Sequence, residues 1–190
     1  ILIEHFHSLK DIDDNGWTRL DGDSVEGKFG DGISFTSNGD YLERTVPSNF
    51  NEAGAVEFWV KPEWNGNDSN VHSFFSTSTN LPRVFSNNEI LFFFINSNQE
   101  ISYNISSWNA DEWHHISASW QEGQNYSLIV DGVLVNESNI TEIDQNTNNL
   151  FYIGASRTGT QTINATLDEL RISKYPRKTI TSLQGVNFTL

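Results

Sequence analysis

Apolar residues in this chain recur at every second position, in short runs separated by Asn, Gly, Ser and Asp. From Glu112 to Gln121, Ile116, Ala118 and Trp120 fall on one side, while Trp113, His115, Ser117 and Ser119 fall on the other. That is the period of a strand with one buried face. Tyr126, Leu128 and Val130 repeat it, and Asp131-Gly132 then separates two apolar runs. The dipeptide favours a type I′ hairpin turn, because both central positions need positive φ. The pattern predicts strands at Ile1–Phe6, Gly32–Phe35, Tyr41–Val46, Ala55–Val60, Val71–Ser76, Ile90–Ile95, Glu100–Ile105, Trp113–Trp120, Tyr126–Val130, Val133–Asn136, Leu150–Ile153 and Ala165–Ile172. No stretch sustains a helical period. Strands at this spacing predict an all-β sandwich of two antiparallel sheets. The run Leu91-Phe92-Phe93-Phe94 is apolar on both faces. It is expected to be a central strand covered on both sides; the alternative is a surface covered by another subunit.

Composition narrows the class. The 190 residues include 22 Asn, 35 Ser plus Thr and 13 Gly, spread evenly, so turn chemistry runs throughout and no linker divides the chain. One domain over 1–190 is expected. The net charge of −14 opposes phosphate, which excludes nucleic acid and an anionic membrane surface. No apolar run approaches the ~20 residues of a spanning helix, so membrane insertion is not expected. Absence of Cys removes disulfides, thiolate metal sites and Cys nucleophiles. Met is also absent, position 1 included, as expected of a mature secreted product or an excised domain.

Candidate chemistry lies mostly in the turns. The N-terminal segment carries Asp11, Asp13, Asp14, Asn15, Asp21 and Asp23, oxygen ligands of the kind calcium takes, though not at EF-hand spacing. Sugar sites pair an aromatic face with planar polar side chains. Trp59, Trp113 and Trp120 fall in predicted strands and are expected in the core. Trp64 and Trp108 fall in polar loops and are the sugar-stacking candidates, with Arg83, Asn87 and Asn88 as hydroxyl partners. A retaining glucanase needs two carboxylates about 5–5.5 Å apart, usually on one strand. The nearest approach, Glu142-Ile143-Asp144, has no third carboxylate. His5 and His7 share a strand face and His114-His115 are adjacent, short of the three or four converging ligands of zinc. No catalytic residue is nominated, and the chain is not expected to be an enzyme. Asn67, Asn104, Asn125, Asn136, Asn139, Asn164 and Asn187 lie in Asn-x-Ser/Thr sequons, which leans toward a glycosylated surface protein.

The order of several short motifs resembles the laminin-G-like jelly roll of the concanavalin A-like lectin/glucanase superfamily. They are Gly27-Lys28-Phe29-Gly30, Gly32-Ile33-Ser34-Phe35, Gly39-Asp40-Tyr41-Leu42, Val56–Pro62, Glu112–Ala118, Leu128–Gly132, Phe151–Gly154 and Leu167–Ile172. The resemblance covers roughly residues 1–175, leaving 176–190 as a C-terminal extension. It implies adhesion or carbohydrate binding, with a structural Ca2+ near the chain ends. Carried over, that ion's ligands are Asp168, Asn38 and Asp40, with Asp13 or Asp14. The reading is therefore a non-catalytic extracellular module that binds a glycan or a cell-surface protein and is stabilised by calcium. The alternative is a self-assembling subunit of a surface filament, pilus or sheath, with Leu91–Phe94, Ile1-Leu2-Ile3 and Val186–Leu190 as contacts between subunits.

Overall fold

A computed structural model describes residues 2–3, 16–20, 22–46, 50, 52–79, 82–143 and 149–177. Among them are fifteen strands: β1 Leu2–Ile3, β2 Thr18–Leu20, β3 Asp23–Glu26, β4 Asp31–Phe35, β5 Tyr41–Thr45, β6 Ala53–Pro62, β7 His72–Thr77, β8 Arg83–Asn87, β9 Ile90–Asn96, β10 Gln99–Asn104, β11 His114–Gln121, β12 Asn125–Val130, β13 Val133–Asn139, β14 Leu150–Ile153 and β15 Ala165–Ser173. They form two antiparallel sheets. Sheet one runs β13-β12-β11-β6-β15-β4-β3, with β1 paired to β15. Sheet two runs β10-β9-β8-β7-β14-β5-β2. This is the expected jelly-roll sandwich.

Alternation places one face of each strand between the sheets. In β11, Ile116, Ala118 and Trp120 are buried as their period requires. Trp120 stacks on Phe75 of sheet two at 6.1 Å, and Phe58 of β6 stacks on Phe74 of β7 at 6.0 Å. Each such ring contributes roughly 1.5–3 kcal/mol by leaving water. Trp120 also donates its indole N–H to the Phe50 carbonyl at 3.1 Å, so burial leaves no polar atom stranded. Opposite it in register is Gly54, where a Cβ would lie 2.6 Å from the indole. The glycine makes room for the largest fully buried side chain among the described residues.

Every expected strand overlaps an observed one, and the Asp131-Gly132 turn has positive φ at both residues (51° and 79°). Three strands were not expected. β2 and β3 are short edge strands of polar sequence. β8 is followed by a second two-residue turn, Asn88-Glu89, with φ of 46° and 70°. Glu is a poor resident of the left-handed region, so nothing in that dipeptide signalled a hairpin.

Two expectations change here. The run Leu91–Phe94 is covered on one side only: Leu91 and Phe93 are core, while Phe92 and Phe94 project half-exposed from the outer face of sheet two. Leu2 and Ile3 pair with Ile172 and Arg171 of the same chain, so the backbone of that segment is engaged within its own sheet. Val186–Leu190 lies outside the described residues.

Candidate carbohydrate-binding face

The outer face of sheet two is a small grid set by strand register. In one row, Arg83 of β8 faces Phe94 of β9, which faces Glu100 of β10. In the next, Ser73 of β7 faces Phe85, then Phe92, then Ser102. The third holds Asn87, Ile90 and Asn104. Neighbouring strands are about 4.8 Å apart, so side chains in one row touch. Phe85 stacks on Phe92 at 5.1 Å and tilts against Phe94 at 5.5 Å, while Phe92 and Phe94 are 5.9 Å apart. The result is a phenyl shelf flanked by Arg83 on one side and Asn87 on the other.

Arg83 is held over this shelf, its guanidinium carbon 4.2 Å from the Phe85 ring centre. It donates from Nη2 to Oε1 of Gln161 at 2.6 Å. Its Nε is buried with no hydrogen-bond partner among the described residues. Burial lowers its pKa to about 10, because the charged form loses water without gaining a carboxylate. Gln161 also lines a neighbouring cavity of about 480 Å³, with Asn38, Asn70, His72, Thr162 and Asn164. Shelf and cavity together offer apolar rings beside amides, hydroxyls and one cation, the chemistry that fits a pyranose.

The expected sugar-stacking residues are elsewhere. Trp64 is 5% exposed and Trp108 4%, so neither presents a ring to solvent. Trp64 stacks on His72 (4.2 Å, 7° between planes) and donates to the Ile163 carbonyl at 2.8 Å. Trp108 stacks on His114 (3.9 Å, 4°). Both pin loops to the sandwich. Asn87 does lie on the phenyl shelf's face, as does Arg83. Sequence reasoning missed the rings, because β8 was not recognised and Phe92 and Phe94 were expected under cover.

Trp59, expected in the core, stands instead on the outer face of sheet one, half-exposed. Phe29 meets it edge-on at 6.1 Å, His115 lies 5.2 Å away and the Lys28 ammonium sits 4.7 Å over its ring. Trp59, His115, Asp131 and Gly132 line a cavity of about 370 Å³. Trp113 is also half-buried, with Lys61 over its ring at 5.4 Å.

The calcium set does not assemble among the described residues. Asp168 is fully buried under the Gly27–Gly30 turn, where its oxygens accept N–H groups from Phe29 (2.7 Å), Glu169 (2.7 Å) and Lys28. Gly27 packs so closely that a Cβ there would lie 2.7 Å from Oδ2. Asp40 accepts from Thr36 (3.0 Å) and Ser37 (2.8 Å), closing its own turn. β15 runs beside β4 with Leu167 opposite Ile33, so Asp168 sits near the Gly32 end of β4. Asn38 and Asp40 lie beyond Phe35, the other end. Three or more residues of extended chain, ~10 Å, separate the two levels, too far for one ion. Asp13 and Asp14 lie outside the described residues, within which no group of three metal-ligating side chains occurs.

The remaining motifs are quickly placed. His114 and His115 point to opposite sides of β11, and His114 Nδ1 is 2.9 Å from Asp131. His5, His7, Asp144 and Asn187 lie outside the described residues. Asn67, Asn104, Asn125 and Asn139 are exposed. Asn136 spends its amide on the Ser102 carbonyl (2.9 Å), and Asn164 is half-buried at φ 50°.

Burial lowers the pKa of His72, against the opposing pull of Asp68 and the Thr162 and Ile163 carbonyls. It lowers His115 likewise, opposed by Glu57 and Asp131 and reinforced by Arg177. The unfolded chain therefore binds more protons below pH 6.5, so these groups' contribution is intact above that pH and lost as it falls. The thermal midpoint should drop between pH 6.5 and 5, and the drop should shrink in His72→Gln. A midpoint flat across that window would count against the buried neutral imidazoles.

A laminin-G-type family model of the concanavalin A-like lectin/glucanases superfamily matches residues 36–179. The chain belongs to that superfamily. No curated protein sequence matches it. Solved structures of similar fold include the binding domain of botulinum neurotoxin serotype G (TM-score 0.65, 15% identity, 86% of this chain and 44% of that one). The serotype D ligand-binding domain in complex with N-acetylneuraminic acid is another (0.64, 12%, 86% and 43%). A third is the neurotoxin DC binding domain in complex with SialylT (0.64, 12%, 86% and 44%). This chain spans less than half the length of each. At these identities the likeness concerns the fold alone.

Proposed function

We propose that this superfamily member is a non-catalytic glycan-binding module of the cell exterior, and that it binds through the outer face of β8–β10. The observation that carries the reading is the half-exposed phenyl shelf of Phe85, Phe92 and Phe94 between Arg83 and Asn87. A contiguous solvent-facing aromatic cluster marks a surface for another group to cover, and a sugar ring's C–H face does so without demanding desolvation of charge. One fold neighbour was solved with N-acetylneuraminic acid and another with SialylT, which supports a glycan as the covering group. The exposed sequons support an exterior setting.

A glycan array followed by saturation-transfer NMR tests this. Wild-type protein should bind a subset of glycans, with phenyl protons contacting the sugar. Phe92→Ala should weaken binding at least tenfold, about 1.4 kcal/mol, while the fold persists, because the ring is only half-buried. Unchanged binding in that variant would remove the shelf from the site. Self-association is a second reading, favoured by the same shelf lying one strand from β10, the last strand of sheet two. Light scattering decides it: a multimer that Phe92→Ala dissolves would replace the glycan reading.

A further inference from the structure

We infer that the sugar this face selects is acidic, a pyranose bearing a carboxylate, and that Arg83 is the residue that reads the charge. The inference rests on the glycan-binding reading above and names its ligand class. Arg171 and Arg177 both pair with Glu57, at 3.6 and 2.7 Å. Arg83 has no such partner: among the described residues no carboxylate lies within ion-pair distance of it. Lys28, Lys61 and Lys174 are likewise half-buried without an ion pair among the described residues, but Arg83 differs from them in having a buried nitrogen, Nε, with no hydrogen-bond partner there. The nearest acid in its row, Glu100, is two strands away, about 10 Å.

The guanidinium is also preorganised. Stacking on Phe85 sets its plane and the Gln161 bond sets its rotation, yet Gln161 is neutral and accepts only one of the five N–H groups. Nη1 and the second hydrogen of Nη2 carry no bond to the described residues. A charge partly removed from water without a counter-ion is costly, and an incoming carboxylate relieves that cost with charge-assisted hydrogen bonds. Phe94 and Phe85 adjoin Arg83, so a carboxylate there sets its ring on the phenyl shelf, with Asn87 at the far end for hydroxyls. The overall negative field opposes an anion, but it is screened within about 8 Å at physiological ionic strength, while the short contact is not.

Paired ligands test it: methyl glucuronide against methyl glucoside, and N-acetylneuraminic acid methyl glycoside against its methyl ester. Binding is followed by calorimetry or NMR in 0.15 M salt. The acids should bind at least tenfold more tightly than their neutral partners. Arg83→Gln should erase that preference, lowering the affinity for the acids at least tenfold more than for their neutral partners, and Arg83→Lys should restore only part of it, having charge but no planar fork. Phe92→Ala should weaken acid and neutral sugars alike. Equal affinity within each pair, or a preference that survives Arg83→Gln, overturns the inference while leaving the glycan site standing. A preference for sulfated over carboxylated sugars also overturns it. If no glycan binds the wild type, the site itself fails, which the array establishes first. Circular dichroism on each variant separates lost binding from lost fold.

Discussion

Trp64→Ala should lower stability by about 3–5 kcal/mol and leave the affinity of folded protein for glycans unchanged. The indole is 5% exposed, lies flat on His72, meets Phe74 edge-on at 6.3 Å and holds the loop after β6 to the Ile163 carbonyl. Truncation opens a cavity beneath a loop, strands that carbonyl and admits water to the imidazole. The last effect supplies a readout independent of melting. Burial is the main force lowering the His72 pKa, so removal of its aromatic lid should move it back up toward 6.5. Proton NMR of the His72 ring can follow this in the folded fraction. A sugar-stacking tryptophan would behave oppositely, with near-normal stability, an unmoved His72 and lost binding.

The contrast between Trp64 and the phenyl shelf shows how far pattern reading reaches. Period-two alternation is a local signal, so Ile116, Ala118 and Trp120 were legible as one buried face, and Asp131-Gly132 as a hairpin. Coverage is not local. Whether the outer face of a strand meets water depends on what crosses it, and nothing in Leu91–Phe94 says that its second face is bare. A polar loop is likewise a poor guide to the exposure of its tryptophan. Glu63–Asp68 is hydrophilic around Trp64, yet the indole turns inward because its flat face finds His72 and its N–H finds a carbonyl 99 residues away. Conversely, Trp59 sits in a strand whose period allows either face, and register with His115 and Asp168 places it outside. The shelf itself needed β8, a five-residue strand with Arg, Ser and Asn in it, followed by a turn whose Glu89 is no turn former. Arg83 and Asn87 could be named as polar candidates, but only the β8–β9 register brings them to either side of Phe85.

Asp168→Ala should also be strongly destabilising, by about 3 kcal/mol, and by the same amount in calcium as in chelator. The carboxylate is the shared acceptor for backbone N–H groups of Lys28, Phe29 and Glu169, none of which regains a partner when the side chain is removed. Each orphaned, buried donor costs about 1–3 kcal/mol, tempered where water can enter the turn. The role of Asp168 is thus to tie the Gly27–Gly30 turn to β15, and with it the Phe29 ring to Trp59. If instead the carboxylate held an ion, the wild type would gain stability from calcium and the variant would not, so the difference between them would collapse in chelator. The pH dependence is a separate check. Burial raises the Asp168 pKa above 3.8 despite its N–H partners, so the native state binds a proton more tightly than the unfolded chain. Stability from this group therefore rises as pH falls from neutral toward 3.8. The gap between wild type and Asp168→Ala should widen at pH 4.5 relative to pH 7, opposite in sign to the histidine effect. A gap that narrows on acidification would mean that the native carboxylate is held as an anion more firmly than burial resists it. A gap that vanishes in chelator would restore the ion.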